Sequence, residues 1–219
     1  MTADTVGGVW TYATELARAL AGEGVEVALA TMGAPPSELQ RERVARIPGL
    51  KLFESGFRLE WMDDPWEDVE RAGRWLRGLA ERFDPDVVHL NGYAHGDLPW
   101  GRPVVVVGHS CVWSWWRAVH GCEPPAVPWG RYRERVRAGL AAADRVVAPT
   151  AAMLAALDEC YGPLPPSRVI ANGRDPARFP ARAKEPFVFS AGRLWDPAKN
   201  LAALEAAAPE VPWPVYVAG

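Results

Sequence analysis

The sequence predicts an α/β protein built on a Rossmann-like parallel sheet flanked by helices. Short β-rich runs alternate with helical patterns along the whole chain, the order that successive βαβ units produce. Several of those runs, such as "PVVVVGHS" at 103–110, are continuous in valine, isoleucine or leucine, as expected of strands buried on both faces. Polar residues and glycines follow directly after the runs, at the edge where open α/β sheets bind ligands.

Only "MTAD" precedes the first turn, so the opening strand of a doubly wound domain reads as clipped. A helix is expected over Gly8–Ala21, with Val9, Tyr12, Ala13, Leu16 and Leu20 on one face. Strands follow at 24–31 and 50–55, separated by a helix over Ser37–Ile47. The helix over Trp66–Phe83 opens on Asp63, Asp64, Glu67 and Asp68, acids that complement a helix N-terminus. Strands at 85–92, 103–110, 144–150 and 167–173 alternate with helices over Tyr132–Ala142 and Ala151–Tyr161. These elements make a first domain over 1–176. "DPARFPARAKEP" (175–186) has three prolines, several charges and no periodicity, so 177–186 reads as a linker. Residues 187–219 then supply "FVFSAG", a loop, a helix from about Ala198 to Ala208, and "WPVYVAG". That is the first β-α-β unit of a second Rossmann-like domain, smaller than an independently folding domain, and the chain reads as partial or as one whose second domain was lost.

Composition narrows the function classes. The 219 residues carry a formal charge of −3, which argues against a nucleic-acid partner, since a phosphate backbone calls for a basic face. Any anion site must be local. Cys111, Cys122 and Cys160 are odd in number and lack metal-ligand spacing, which fits a reducing cytoplasm. No run is apolar enough for a membrane span, and the N-terminus lacks the basic and apolar regions of a signal peptide. Eleven tryptophans are the one compositional oddity.

Four loops carry candidate chemistry. Gly7 and Gly8 lie at a strand-to-helix turn, where backbone N–H groups can approach a phosphate; the pattern is not GxGxxG and lacks the acidic ribose partner of a dinucleotide site. Tight packing is the plainer reading of that turn. "GRLWDPAKN" holds Arg193 and Lys199 after a strand: a fork of donors and a mobile point charge, suited to a diphosphate. A surface salt bridge from Arg193 to Asp196 accounts for the same spacing equally well. His109 ends a buried strand and has a pKa suited to exchanging hydrogen bonds with a polar substrate. His89 and His95 flank an Asn-Gly turn and read as structural. Trp113, Trp115, Trp116 and Trp129 offer faces for a sugar or an apolar acceptor, or simply core area, and at most two of them are expected to face a ligand.

Taken in order, "TVGGVWTYATELARAL", "PDVVHLNG", "GHS", "ADRVVAPTAAM", "VIANGRDPARF" and "SAGRLWDPAKNLAAL" resemble a glycosyltransferase of family 4. The resemblance spans essentially the whole chain and implies a GT-B fold of two facing Rossmann-like domains. It implies that Arg193 and Lys199 bind a donor diphosphate, and that Gly7 and Gly8 contact the donor phosphate and sugar across the cleft. It also implies that His109 touches the transferred sugar, and that Asn172 and Gly173 lie at the turn toward the hinge, with Asn172 on the donor side. His109, Arg193 and Lys199 are then the catalytic candidates, and Tyr12, Trp113 and Trp116 the acceptor-side ones. The activity implied is transfer from a nucleotide-sugar to an acceptor hydroxyl (on a glycan, lipid or small molecule) with retention, without a metal or other cofactor. Many relatives carry histidine where Tyr12 stands, and their E-x(7)-E element would lie beyond Gly219. A non-catalytic glycan- or partner-binding module and another GT-B enzyme, such as a nucleotide-sugar epimerase, remain alternatives.

Overall fold

The computed structural model describes residues 1–219. They form two compact units: residues 1–114 with 124–174, and residues 115–123 with 175–219.

In the first unit, β1 (Thr2–Asp4), β2 (Val27–Met32) and β3 (Leu50–Glu54) make a parallel sheet in that order, connected by α1 (Gly8–Gly22) and α2 (Glu38–Ala45). The residues before the first turn thus form a three-residue strand in register with Ala30–Met32. After α3 (Trp66–Phe83) comes a second parallel sheet, ordered β4 (Val88–Leu90), β5 (Val104–Val107), β6 (Arg145–Ala148) and β7 (Ser167–Val169). Helix α4 (Val112–His120) begins in the first unit and has residues 115–120 in the second, and the crossovers of this sheet include α5 (Ala126–Ala142) and α6 (Ala151–Tyr161). The sheets abut at β1 and β4, giving the order β3-β2-β1-β4-β5-β6-β7. Strand progression reverses there, and such a reversal opens a crevice at the carboxyl ends of the strands.

Alternation along β2 explains the layers. Leu29 packs with Ala3, Trp10, Ala13, Val44 and Ile47 beneath α1 and α2. Ala30 and Met32 face the opposite side, against Ala72, Leu76 and Leu79 of α3. In the second sheet Val104, Val106 and Val146 pack with Val136 and Leu140 of α5 and Leu157 of α6.

The helices over Trp66–Phe83 and Ala151–Tyr161 begin and end at the residues the sequence pattern predicts. Other elements differ. The buried stripe of α1 is Trp10, Ala13, Thr14 and Ala17, while Val9, Tyr12, Leu16 and Leu20 are only partly buried; small residues at 13 and 17 allow the helix to lie close to the sheet, and the longer side chains flank that contact. The tryptophan-rich stretch forms α4, unforeseen although Val112, Trp115, Trp116 and Val119 carry the helical spacing, because its tryptophans read as ligand faces or core area. Helix α5 starts at Ala126, ahead of the expected Tyr132, with a non-helical break at Val127.

In the second unit β8 (Val188–Ala191) pairs in parallel with β9 (Val215–Ala218). The expected single helix between them is instead a 3-10 turn over Pro197–Lys199 followed by α7 (Leu201–Ala207). Asn200 separates the two with φ near 48°, a left-handed backbone that a short amide side chain tolerates.

Glycine sets one close approach in the first unit. A Cβ at Gly139 of α5 would overlap the Tyr93 carbonyl oxygen, and one at Gly96 would overlap the backbone of Gly139. The loop after β4 therefore rests directly on the α5 backbone. We expect Gly139→Ala to cost about 3 kcal/mol of stability, because backbone on both sides must move. Gly130→Ala on the same helix faces open space and should be neutral or stabilising by up to about 1 kcal/mol. Urea unfolding of the two variants checks the contrast.

Candidate functional site

Asn91, immediately after β4, organises the crevice. Its backbone N–H donates to Thr2 Oγ1 (3.0 Å) and its Nδ2 donates to the Thr2 carbonyl (2.7 Å), bridging the two sheets where no strand ladder joins them. The side-chain oxygen is thereby turned away from Thr2. It accepts from His109 Nε2 at 2.8 Å and lies 3.3 Å from His89 Nε2. Tyr12, one turn into α1, packs its ring edge-on against His109 at 4.6 Å between centroids and lies 6.0 Å from His89. The structure thus brings His109 and Tyr12 together and adds His89, which the sequence placed among structural residues.

The loop carrying His109 is held on both sides. Tyr93 Oη donates to the Ser110 carbonyl (2.8 Å), and the Val112 N–H donates to Tyr132 Oη (3.3 Å). A Cβ at Gly108 would overlap the side-chain end of Leu157, so a larger residue at this point would require Leu157 to shift. Burial lowers both imidazoles to about 4; at neutral pH they are uncharged, each with one N–H and one lone pair.

The Gly7–Gly8 turn lies at the end of β1. Thr5, just before it, is fixed by its hydroxyl on the Ala34 carbonyl (2.6 Å) and by Gln40 Nε2 on its own carbonyl (2.8 Å). Gly7 has φ near 92°, a conformation that favours glycine. Helix α1 has no side-chain cap and no acid in its first turn, and space is open beside both glycines. Its first N–H groups can therefore receive an anion.

Asn172 and Gly173 are exposed, and the next residue, Arg174, lies 3.6 Å from Glu15 of α1. Trp113 is 3 % exposed and stacks parallel to Tyr132 within the core. This corrects its place among the acceptor-side candidates: an indole sealed in the core has no face for a ligand. Trp116 is half-buried and forms a ring cluster with Trp115 and His120. His95 donates to the Val69 carbonyl (2.9 Å) and is structural, as its sequence setting indicates.

In the second unit, Arg193 makes the ion pair that its spacing allows, Nη2 lying 2.6 Å from Asp196 Oδ2, while its guanidinium lies over the Trp195 ring. Asp196, 3 % exposed in its side chain, also accepts from the Ala198 N–H (3.0 Å). Burial pushes its carboxyl up, but the Ala198 N–H, the Arg193 guanidinium and the Lys199 charge outweigh this and hold it below its usual range. One carboxylate thus fixes the turn and one end of Arg193, leaving the other guanidinium donors in reach of an incoming anion. The stem of Lys199 lies across Gly192, where a Cβ would touch it at 3.4 Å, and its ammonium end is exposed.

Residues 6–178, well over half of the chain, match the profile of Glycosyltransferase Family 4. The chain belongs to glycosyltransferase family 4. No curated protein resembles this family 4 chain closely enough to register as a relative. Among solved structures, sucrose-phosphate synthase from Thermosynechococcus elongatus superposes with a TM-score of 0.72 at 18 % identity, over 100 % of this chain and 58 % of the synthase. LpCGTa, solved in complex with UDP, gives 0.60 at 19 % identity, over 100 % of this chain and 69 % of its own. UGT2 of Phytolacca americana, complexed with UDP-2fluoro-glucose and pterostilbene, gives 0.51 at 13 % identity, over 87 % and 59 %. At these identities the likeness is one of fold, and the α/β, GT-B class read from the sequence holds. No helix of the family 4 chain is long and apolar enough to cross a membrane, and no group of three His, Cys, Asp or Glu is placed to hold a metal ion.

Sequence reasoning missed Asn91 and Glu60. Asn91 stood in plain view in "HLNG" but read as half of a turn. Glu60 lies in a loop with no local signal. Its carboxylate is buried and accepts from the Tyr93 N–H (2.9 Å) and the Ala94 N–H (2.7 Å), tying down the loop after β4. Burial raises its pKa against the pull of those two N–H groups.

Two outcomes are expected. Glu60→Ala leaves two buried N–H groups without an acceptor and should cost about 3 kcal/mol in urea unfolding. A histidine with a depressed folded-state pKa stabilises fully above its unfolded value of 6.5 and loses that contribution as pH falls toward 4. Stability measured over that window should therefore fall more steeply in the wild type than in His109→Gln, by up to about 1.4 kcal/mol per pH unit.

Proposed function

We propose that the protein is a glycosyltransferase that moves a sugar from a nucleotide-diphosphate-sugar to an acceptor hydroxyl with retention of anomeric configuration. The observation that carries this reading is the constellation at the sheet reversal: a neutral His109 held by Asn91 against Tyr12, in a unit whose α1 N-terminus is open to an anion, all in a family 4 chain. UDP and a UDP-sugar analogue are bound by two proteins of similar fold, which supports a nucleotide-sugar donor here.

In this reading Arg193 and Lys199 bind the diphosphate. The difficult feature of such a transfer is charge building on the departing diphosphate as the sugar becomes oxocarbenium-like, and fixed cations stabilise that charge more in the transition state than in the bound donor. Arg193 suits the task because Asp196 fixes its position in advance. Gly7 and Gly8 present the α1 N–H groups to the donor, Asn172 lies on the donor side, His109 contacts the transferred sugar, and Tyr12 and Trp116 remain on the acceptor side. No metal or other cofactor has a part in the scheme. The odd number and spacing of Cys111, Cys122 and Cys160 support a cytoplasmic site of action in this reading.

A panel of nucleotide-sugars, read by thermal stabilisation and by release of nucleoside diphosphate, tests the reading. Arg193→Ala and Lys199→Ala should each lower transfer by about 100-fold or more with the fold intact. Turnover unchanged in both variants refutes the diphosphate assignment, and binding without turnover by any donor favours a binding module.

A further inference from the structure

The hydrogen bonds around Asn91 fix more than position. A carboxamide has a donor end and an acceptor end, and Thr2 decides which is which. The Thr2 carbonyl, 2.7 Å away, can only accept, so the NH2 end faces it. The opposite end is an oxygen, which can only accept. The His109 nitrogen 2.8 Å from that oxygen must therefore carry hydrogen, and so must the His89 nitrogen at 3.3 Å. His109 makes no protein hydrogen bond through Nδ1, and that atom is not among the buried polar atoms cut off from solvent. Tyr12 packs on the ring and His89 shares its Asn91 acceptor, and neither supplies negative charge to favour an imidazolium.

We propose that Asn91 is a positioning residue that holds His109 as its Nε2–H tautomer, leaving Nδ1 as a hydrogen-bond acceptor, so that the group received there is a hydroxyl and not an anionic oxygen. Naming that hydroxyl as one on a sugar rests on the reading under Proposed function; the tautomer does not. A neutral imidazole presenting a lone pair repels a phosphate oxygen, which also has only lone pairs to offer. The two ends of a sugar-phosphate donor are thereby told apart: the hydroxyl-bearing end belongs at His109, the phosphate end at N–H groups and cations. His89, sharing the same acceptor, occupies the second lone pair of Asn91 and removes its freedom to take another donor.

Long-range proton–nitrogen correlation NMR on histidine-labelled protein tests this directly. In the ligand-free wild type at pH 7, His109 should be a single Nε2–H tautomer with Nδ1 unprotonated. Observation of Nδ1–H, or of a mixed population, overturns the proposal. In folded Asn91→Leu the same ring should relax to a mixture of tautomers; a single unchanged tautomer there also overturns it. If that variant does not fold, the wild-type spectrum alone decides. With UDP-glucose as the added compound, the Nδ1 resonance should shift as it accepts a hydroxyl, and UDP alone should leave it in place. A shift of equal size with UDP alone overturns the hydroxyl assignment. Failure of UDP-glucose to bind counts against the choice of donor under Proposed function, while the tautomer result stands on the ligand-free spectra. In turnover assays Asn91→Leu should lose about 10- to 100-fold in kcat/KM, the order found when the outer-shell partner that orients a metal-ligating histidine is removed, and an unchanged kcat/KM counts against a positioning role.

Discussion

The carboxamide of Asn91 is the constraint on which the first unit's site depends. The two sheets meet at β1 and β4 without a shared strand ladder, and at such a seam backbone groups need partners from elsewhere. Asn91 supplies them through its own N–H and its Nδ2, both directed at Thr2. The same bonds turn the side-chain oxygen away from Thr2, and two imidazoles are arranged around it. A single side chain thus bonds both across the sheets and to the two imidazoles, so a change that serves one set of bonds alters the other.

Around that seam, the loops after β4 and β5 are held by contacts at the level of the backbone. Gly96 and Gly139 bring the first loop onto α5, Glu60 binds its N–H groups from below, and tyrosine hydroxyls hold the second loop at Ser110 and Val112. Contacts of this kind leave little freedom of rotation, and a functional group carried on them is oriented before any ligand arrives. Preorganisation of that sort suits electrostatic and hydrogen-bonding catalysis, which gains from dipoles that need not reorient. The loop after β8 uses another device: Asp196 binds Arg193 and the turn beneath it together, so the salt bridge and the diphosphate clamp are compatible roles for one arginine.

The sequence contained the α/β class, most of the strands, and both ends of α3 and α6, because burial on two faces and an amphipathic period leave a local trace. The strand-end positions of Gly7, Gly8, His109, Arg193 and Lys199 were legible for the same reason. Where the local trace misled, size and context were responsible. In α1 the alanines, and not the leucines, lie against the sheet. In α4 the tryptophans stand out for their faces and not their spacing, and Trp113 turned out to be a core residue.

The sequence by itself determined which residues could be buried, and hence the order of elements and the edge on which chemistry would lie. Only the tertiary structure decided who bonds to whom. Asn91 and Thr2 are 89 positions apart, Glu60 and Tyr93 are 33 apart, and no periodicity links either pair. A pattern of apolar residues encodes a preference for the interior that is non-directional. A hydrogen bond needs a particular donor at a particular angle, and that is specified only once the sheets have come together.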